Sequence, residues 1–395
     1  MNISEKMLAL GKKSSVIREL FEYGRRRKAE IGAENVFDFS LGNPSVPAPS
    51  KVTEVMRRLI DAENPVALHG YTSAPGDMGV RTKIAEDINR RFGIPTRPDL
   101  VYMTCGAAAS LTISLSAITR EGDEVIVLAP FFPEYRVFVE NAGAALRIVR
   151  GKLPDFRIDF DALEKTLNEH TKALIINSPN NPTGAIVPES DIIRLSEVLR
   201  AAEKKFGHPI YIIADEPYRP LVWNGSEVPY IPSYYDNTIV CYSFSKAVSL
   251  PGERIGYIFV SPNAENSADL FAAICGAGRS LGFVCAPSLM QLVVGECLDV
   301  TSDFSVYKTN RDLLLKNLTE MGYETVPPDG AFYLFLKSPE PDANAFAERA
   351  KKYELLLVPG DDFGGEGYVR VSYCVTTEQI ERSLPAFKKL IEEYK

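Results

Sequence analysis

Between about Asp77 and Tyr257 the chain alternates strand-like apolar runs with segments of helical period, and this alternation constrains its fold more than any other feature. Strand candidates lie at 100–104, 124–128, 173–177, 211–214, 238–242 and 255–260. Helical segments fit between most of them. Val80, Ile84 and Ile88 recur every four residues until Gly93-Ile94-Pro95 stops the run, and 192–205 reads the same way. Alternation of this kind builds a mostly parallel α/β sheet with helices on both faces. The two closely spaced runs after Lys246 predict one hairpin or antiparallel strand.

After about Phe283 the texture changes to α+β. A long helical stretch through 289–318 precedes a strand at 333–336, a helix at 343–352, strands at 355–358 and 368–372, and a final helix at 377–393. These segments predict a smaller domain made of residues 1–47 and 291–395, beside a large domain of residues 48–290. With 395 residues the chain can bury cores in two lobes.

Charge and cysteine usage narrow the partners. A net charge of −8 argues against nucleic acid or an anionic membrane as the main partner, and Arg25-Arg26-Arg27-Lys28 reads as a solvated helix face. No apolar run approaches membrane-spanning length, and the first fifteen residues do not read as a signal peptide. Six cysteines without a CxxC pair imply reduced thiols and a cytoplasmic setting. The three histidines lie too far apart in sequence for a metal motif, so no metal is expected.

The residues that carry chemistry sit where apolar runs end. Lys246, in Tyr242-Ser243-Phe244-Ser245-Lys246, follows one such run. Burial there favours its neutral amine, the form that attacks a carbonyl to make a Schiff base. Taken alone, a lysine whose stem covers apolar surface and whose head reaches water is the favoured reading. Asp215 ends the run 210–214 in Asp215-Glu216-Pro217-Tyr218, at the edge where open α/β sheets bind ligands. A carboxylate there can keep a pyridine nitrogen protonated so that the ring accepts electrons; a helix cap is the competing role.

Asn181 lies in the constrained loop Asn177-Ser178-Pro179-Asn180-Asn181-Pro182-Thr183-Gly184, where its amide can donate to a ligand oxygen or simply serve a turn. Thr104-Cys105-Gly106-Ala107-Ala108-Ala109-Ser110 runs from a strand into a helix, with side chains small enough for backbone N–H groups to face a phosphate. Such residues also serve plain packing. Neither a Walker loop nor a GxGxxG after a strand is present, so ATP and NAD are poorly supported. Arg254 can complete an anion site or form a surface ion pair, and Phe132 can stack on a ring or pack in the core. Arg370, inside the apolar strand Tyr368-Val369-Arg370-Val371, needs a partner: a bound carboxylate or a buried acid.

Together, Asn181-Pro182-Thr183-Gly184, Asp215-x-x-Tyr218, Ser243-x-x-Lys246 with Arg254, and late Arg370 resemble the fold-type I pyridoxal phosphate enzymes. More narrowly, the chain is similar to the class I/II aminotransferases, the family of aspartate aminotransferase, over nearly its whole length. The resemblance implies a large domain with a mostly parallel seven-stranded sheet flanked by helices, plus the smaller α+β domain. It implies pyridoxal 5'-phosphate held as a Schiff base by Lys246, which then carries the proton between substrate and cofactor. Asp215 would pair with the pyridinium, while Tyr218 and Asn181 would hydrogen-bond the ring's phenolic oxygen. Ser243, Arg254 and the backbone around Gly106, Ala107 and Ala108 would hold the phosphate, with Phe132 over the ring. Tyr71 would reach a phosphate across a homodimer interface. Arg370, with Gly42 and Asn181, would bind the substrate α-carboxylate. The family also implies cis peptides at Ala129-Pro130 and Asn181-Pro182. Arg279 falls roughly where dicarboxylate-specific relatives place a side-chain-binding arginine.

The function so implied is transfer of an amino group from an amino acid to a 2-oxo acid through pyridoxamine phosphate, with aspartate and 2-oxoglutarate as the leading pair. A β-eliminating carbon–sulfur lyase is the alternative, because Lys246 and Arg370 serve both reactions. A non-catalytic sensor weighs less: every catalytic position is intact, and little chain precedes the sheet to hold a separate DNA-binding module.

Overall fold

The computed structural model describes residues 3–12, 15–62 and 64–395. Its centre is a seven-stranded sheet of β1 (Val101–Thr104), β2 (Glu124–Ala129), β3 (Ala145–Arg150), β4 (Thr171–Asn177), β5 (Tyr211–Asp215), β6 (Thr238–Ser243) and β7 (Gly256–Val260). Their spatial order is β1-β7-β6-β5-β4-β2-β3, and only β7 runs antiparallel to its neighbours. β7 is the antiparallel strand expected after Lys246. β5 and β6 are buried at every position, as a central strand covered by helices on both faces must be.

Six of the seven strands coincide with the apolar runs in the sequence. β3 was not among those expected, and its composition shows why. It is an edge strand in which the exposed Arg147 and Arg150 interrupt the apolar residues and Val149 is the one fully buried position, so no continuous apolar run marks it.

Two large hydrophobic cores flank the sheet edge that carries the chemistry. One joins the seven strands to the helices around them and takes in Met290, Val293 and Val294. The other gathers Phe39, Tyr307, Phe332, Phe346, Tyr373 and Phe387 around a four-stranded sheet of 325–326, 333–337, 358–359 and 368–372. Tyr218, Leu221 and Trp223, which follow β5, belong to this second core and tie the two together.

Two expectations need correction. The stretch 289–318 is two helices, Ser288–Gly295 and Ser305–Met321. Between them Ser302 donates to the Pro47 carbonyl and Asp303 accepts from the Ser305 N–H, contacts that a continuous helix would not make. The cis peptides are Ala129-Pro130, as expected, with Leu153-Pro154 and Ser178-Pro179; Asn181-Pro182 is trans. Asn181 already receives its backbone restraint another way, since its N–H donates to Asn177 Oδ1 at 2.7 Å. Among the described residues no helix is long and apolar enough to cross a membrane. All six cysteines are free thiols.

Candidate active site

The C-terminal ends of β4, β5 and β6 meet at one cavity of about 480 Å³. Such an edge presents strand-end side chains to a ligand without interrupting the ladder behind them. Its lining includes Gly42, Ala107, Ala108, Phe132, Asn181, Asp215, Tyr218, Ser243, Lys246, Arg254 and Arg370, eleven of the sites expected from sequence. Gly106 stands directly behind it as the N-cap of the helix Ala107–Ile118. Tyr71 lies elsewhere, 90% exposed on the surface of the chain. Arg279, on the helix Ser267–Ser280, is exposed and not part of the lining.

Lys246 follows β6 in the short helix Phe244–Ala247, and its Nζ donates to the Gly42 carbonyl at 2.5 Å. Burial, with Arg254 and Arg370 nearby, lowers its ammonium to about 8, against a smaller opposing influence of Cys374. At pH 7 about a tenth of it is therefore the nucleophilic amine, far more than for an unperturbed lysine.

Asp215 closes β5, directly opposite Asn177 at the end of β4. Its Oδ2 accepts from the Tyr135 hydroxyl at 2.5 Å, while Oδ1 is buried with no hydrogen-bond partner. Burial pushes the carboxyl up to about 7; Tyr135 opposes that rise and Glu216 adds to it. A buried oxygen in this state costs free energy until a donor arrives.

Arg370 is the mirror case. It is 2% exposed, donates from Nη1 to Asn181 Oδ1 at 2.9 Å and from Nη2 to the Ser40 carbonyl at 2.5 Å, and leaves Nε unpartnered. Its guanidinium lies over the rings of Tyr333, 4.7 Å from the centroid, and Phe363, at 5.1 Å. No carboxylate pairs with it among the described residues, so a buried acid does not account for this arginine.

The small-residue segment forms a cradle. Gly106 has φ 89°, and a Cβ there would stand 2.8 Å from Nη2 of Arg254. Glycine thus lets the guanidinium approach the first turn of the helix Ala107–Ile118, whose N-terminal N–H groups lack intrahelical acceptors. Ser243 Oγ and Ser245 Oγ lie 2.8 Å apart beside it. Arg254 donates to the Pro251 carbonyl and has no acidic partner among the described residues, which sets aside the surface ion pair.

Several functional neighbours were not singled out from sequence. Tyr333 sits on the cavity wall with its hydroxyl 2.9 Å from that of Tyr218. Tyr135 and Asn177 hold Asp215, the latter through its amide to the Asp215 carbonyl at 3.0 Å. Asn177 had a detectable signal, a polar residue ending a buried strand beside the strand of Asp215. The two tyrosines had none, because a tyrosine in an apolar run reads as core.

A family model described as aminotransferase class I and II matches residues 34–387. The crystal structure of an amino transferase from Eubacterium rectale shares the fold with a TM-score of 0.98 and 53% identity, covering 100% of both chains. The aromatic-amino-acid aminotransferase 2 of Thermococcus litoralis is 29% identical over 398 residues, 96% of each chain. The aspartate/prephenate aminotransferase of Thermus thermophilus is 31% identical over 363 residues, 89% of each. The family match spans most of the chain and the fold is shared end to end with a solved transferase; the chain therefore belongs to the class I and II aminotransferases, which depend on pyridoxal phosphate.

Proposed function

We propose that the enzyme moves an amino group from aspartate to a 2-oxo acid such as 2-oxoglutarate, with pyridoxal phosphate held in this cavity. One observation carries the reading. A buried carboxylate oxygen without a donor, on Asp215, and a buried guanidinium nitrogen without an acceptor, on Arg370, border the same cavity as the amine of Lys246. The first suits a ring N–H and the second a substrate carboxylate.

The residues present fit the cofactor. Asp215 Oδ1 is the acceptor for the pyridine nitrogen, and the cradle of Gly106, Ala107, Ala108, Ser243 and Arg254 supplies N–H, hydroxyl and cationic groups for the phosphate. Tyr218 and Asn181 are the donors for the phenolic oxygen, and Phe132 is the aromatic wall. When bound, the cofactor supplies a protonated ring that accepts the electrons released at the substrate Cα.

The chain's own residues do the rest. Arg370 orients the α-carboxylate, with Asn181 and the Gly42 segment beside it. Lys246 would be the residue that holds the cofactor, and its Nζ, once freed by the substrate amine, would be the base that takes the proton from the substrate Cα and the acid that gives it back. An ammonium lowered to about 8 suits a group that must both accept and give back that proton. Asp215 stays ionised once a cationic N–H faces it.

Two copies would complete the phosphate site. Tyr71 is 90% exposed, with Val66 at 83% and Met78 at 56% nearby in sequence, which supports a surface covered by a second subunit whose phosphate Tyr71 reaches. Six free thiols favour a cytoplasmic setting.

For the substrate side chain, Arg18 lines the cavity and has no carboxylate partner among the described residues, which supports an acidic group; Glu134, also on the lining, opposes it. The name of the Thermus thermophilus relative supports aspartate as well. Initial rates with aspartate, phenylalanine and alanine against 2-oxoglutarate test the reading. Aspartate should give the highest kcat/KM; a higher value for phenylalanine or alanine contradicts it.

A further inference from the structure

We propose that Tyr333 is a positioning residue of the reaction: it donates its phenolic hydrogen to the Tyr218 oxygen, so that the Tyr218 hydrogen is free for the cofactor's phenolic oxygen. This inference rests on the reading of the site given above.

The two hydroxyls are 2.9 Å apart, and either can be the donor. Each phenol has one hydrogen and can accept as well. If Tyr218 gives its hydrogen to a ligand, Tyr333 must be the donor between them. One contact favours that direction. The Arg370 guanidinium lies over the Tyr333 ring at 4.7 Å, and a nearby positive charge makes a phenol a better hydrogen-bond donor. Arg370 favours the ionised form of both tyrosines, opposing the effect of burial.

The chain also keeps room for this hydroxyl. A Cβ at Gly42 would overlap the Tyr333 oxygen, and Gly42 is the residue whose carbonyl receives the Lys246 amine. Tyr333 begins the strand Tyr333–Lys337, which pairs with the strand of Arg370. One side chain thus touches the groups assigned to the cofactor oxygen, the substrate carboxylate and the lysine backbone acceptor. A phenylalanine would keep the ring under Arg370 and the packing of the second core. It would lose only the hydrogen bond.

Donation to an oxygen stabilises its deprotonated form, so a weakened Tyr218 donor raises the pH midpoint of the cofactor's visible absorption. The experiment is a pH titration of the resting holoenzyme for wild type, Tyr333→Phe, Tyr218→Phe and the double variant. The expected result is a rise of about 1 unit for Tyr333→Phe, a larger one for Tyr218→Phe, and no further rise when both are changed. A Tyr333→Phe midpoint equal to wild type, with Tyr218→Phe shifted, overturns this inference and leaves the site assignment standing. Additive shifts in the double variant also overturn it, because Tyr333 would then act independently of Tyr218. A Tyr218→Phe midpoint equal to wild type overturns the assignment of Tyr218 and the inference together.

Discussion

The hydroxyl of Tyr135 lies 2.5 Å from one carboxylate oxygen of Asp215, and the other oxygen of the same group is buried without a donor. The tyrosine therefore selects which oxygen remains for a ligand and lowers the cost of ionising the acid. Tyr135→Phe removes that donor and raises the Asp215 pKa further. The variant apoprotein should bind pyridoxal phosphate about 5–30-fold more weakly at pH 8, as expected for a lost hydrogen bond of about 1–2 kcal/mol to a charged group. Fluorescence titration of the apoprotein measures it.

Asp215 itself makes the apoprotein sensitive to pH. Burial raises its folded-state pKa to about 7, above its value in the unfolded chain. Between those two values the folded protein holds the extra proton, so stability is greater at low pH and is lost as pH rises toward 7. Asp215→Asn escapes this penalty. Its apoprotein should melt at a higher temperature than wild type at pH 8, with the gap closing toward pH 4, and should bind the cofactor more weakly. Calorimetric scans at both pH values check the sign.

Burial acts on Lys246 in the opposite sense, lowering its ammonium to about 8. In the apoprotein, acylation of Lys246 by an amine-selective reagent should show a midpoint near pH 8, whereas an unperturbed lysine titrates near ~10.4. Peptide mass spectrometry across a pH series reads this directly. A midpoint at the unperturbed value contradicts the role given to burial.

Removing the Arg370 guanidinium deletes the site assigned to the α-carboxylate while leaving the Lys246 amine and the phosphate cradle in place. Arg370→Ala should lower kcat/KM by about 100- to 1,000-fold, corresponding to roughly 3–4 kcal/mol of charge-assisted hydrogen bonding. The resting holoenzyme should still hold its cofactor and show its visible absorption band. If the loss lay wholly in cofactor binding, Arg370 would belong to the phosphate site instead.

The legible parts of this molecule are those where a polar residue interrupts or ends an apolar run. Asp215 ends a strand, Lys246 and Asn181 follow strand ends within four residues, and Arg370 lies inside a strand, so their burial and their need for partners could be read directly. The central strands were legible for the same reason, being apolar throughout. What escaped was hidden by chemistry that looks ordinary. Tyr135 and Tyr333 are amphipathic, and only the fold shows that their hydroxyls meet Asp215 and Tyr218. β3 carries exposed arginines, as an edge strand can. The stop between Gly295 and Ser305 depends on contacts with residues far away in sequence, including Pro47 and Ser249.

The central claim is amino transfer dependent on Lys246, and a half-reaction tests it most directly. Holoenzyme mixed with excess aspartate and no 2-oxo acid should lose its visible cofactor absorption once per site, with one equivalent of 2-oxo acid formed and no free ammonia. Lys246→Ala should fail to complete that conversion while remaining folded. Continued release of ammonia and 2-oxo acid beyond one equivalent, from an amino acid with a β-leaving group, would contradict the account and identify an eliminating lyase.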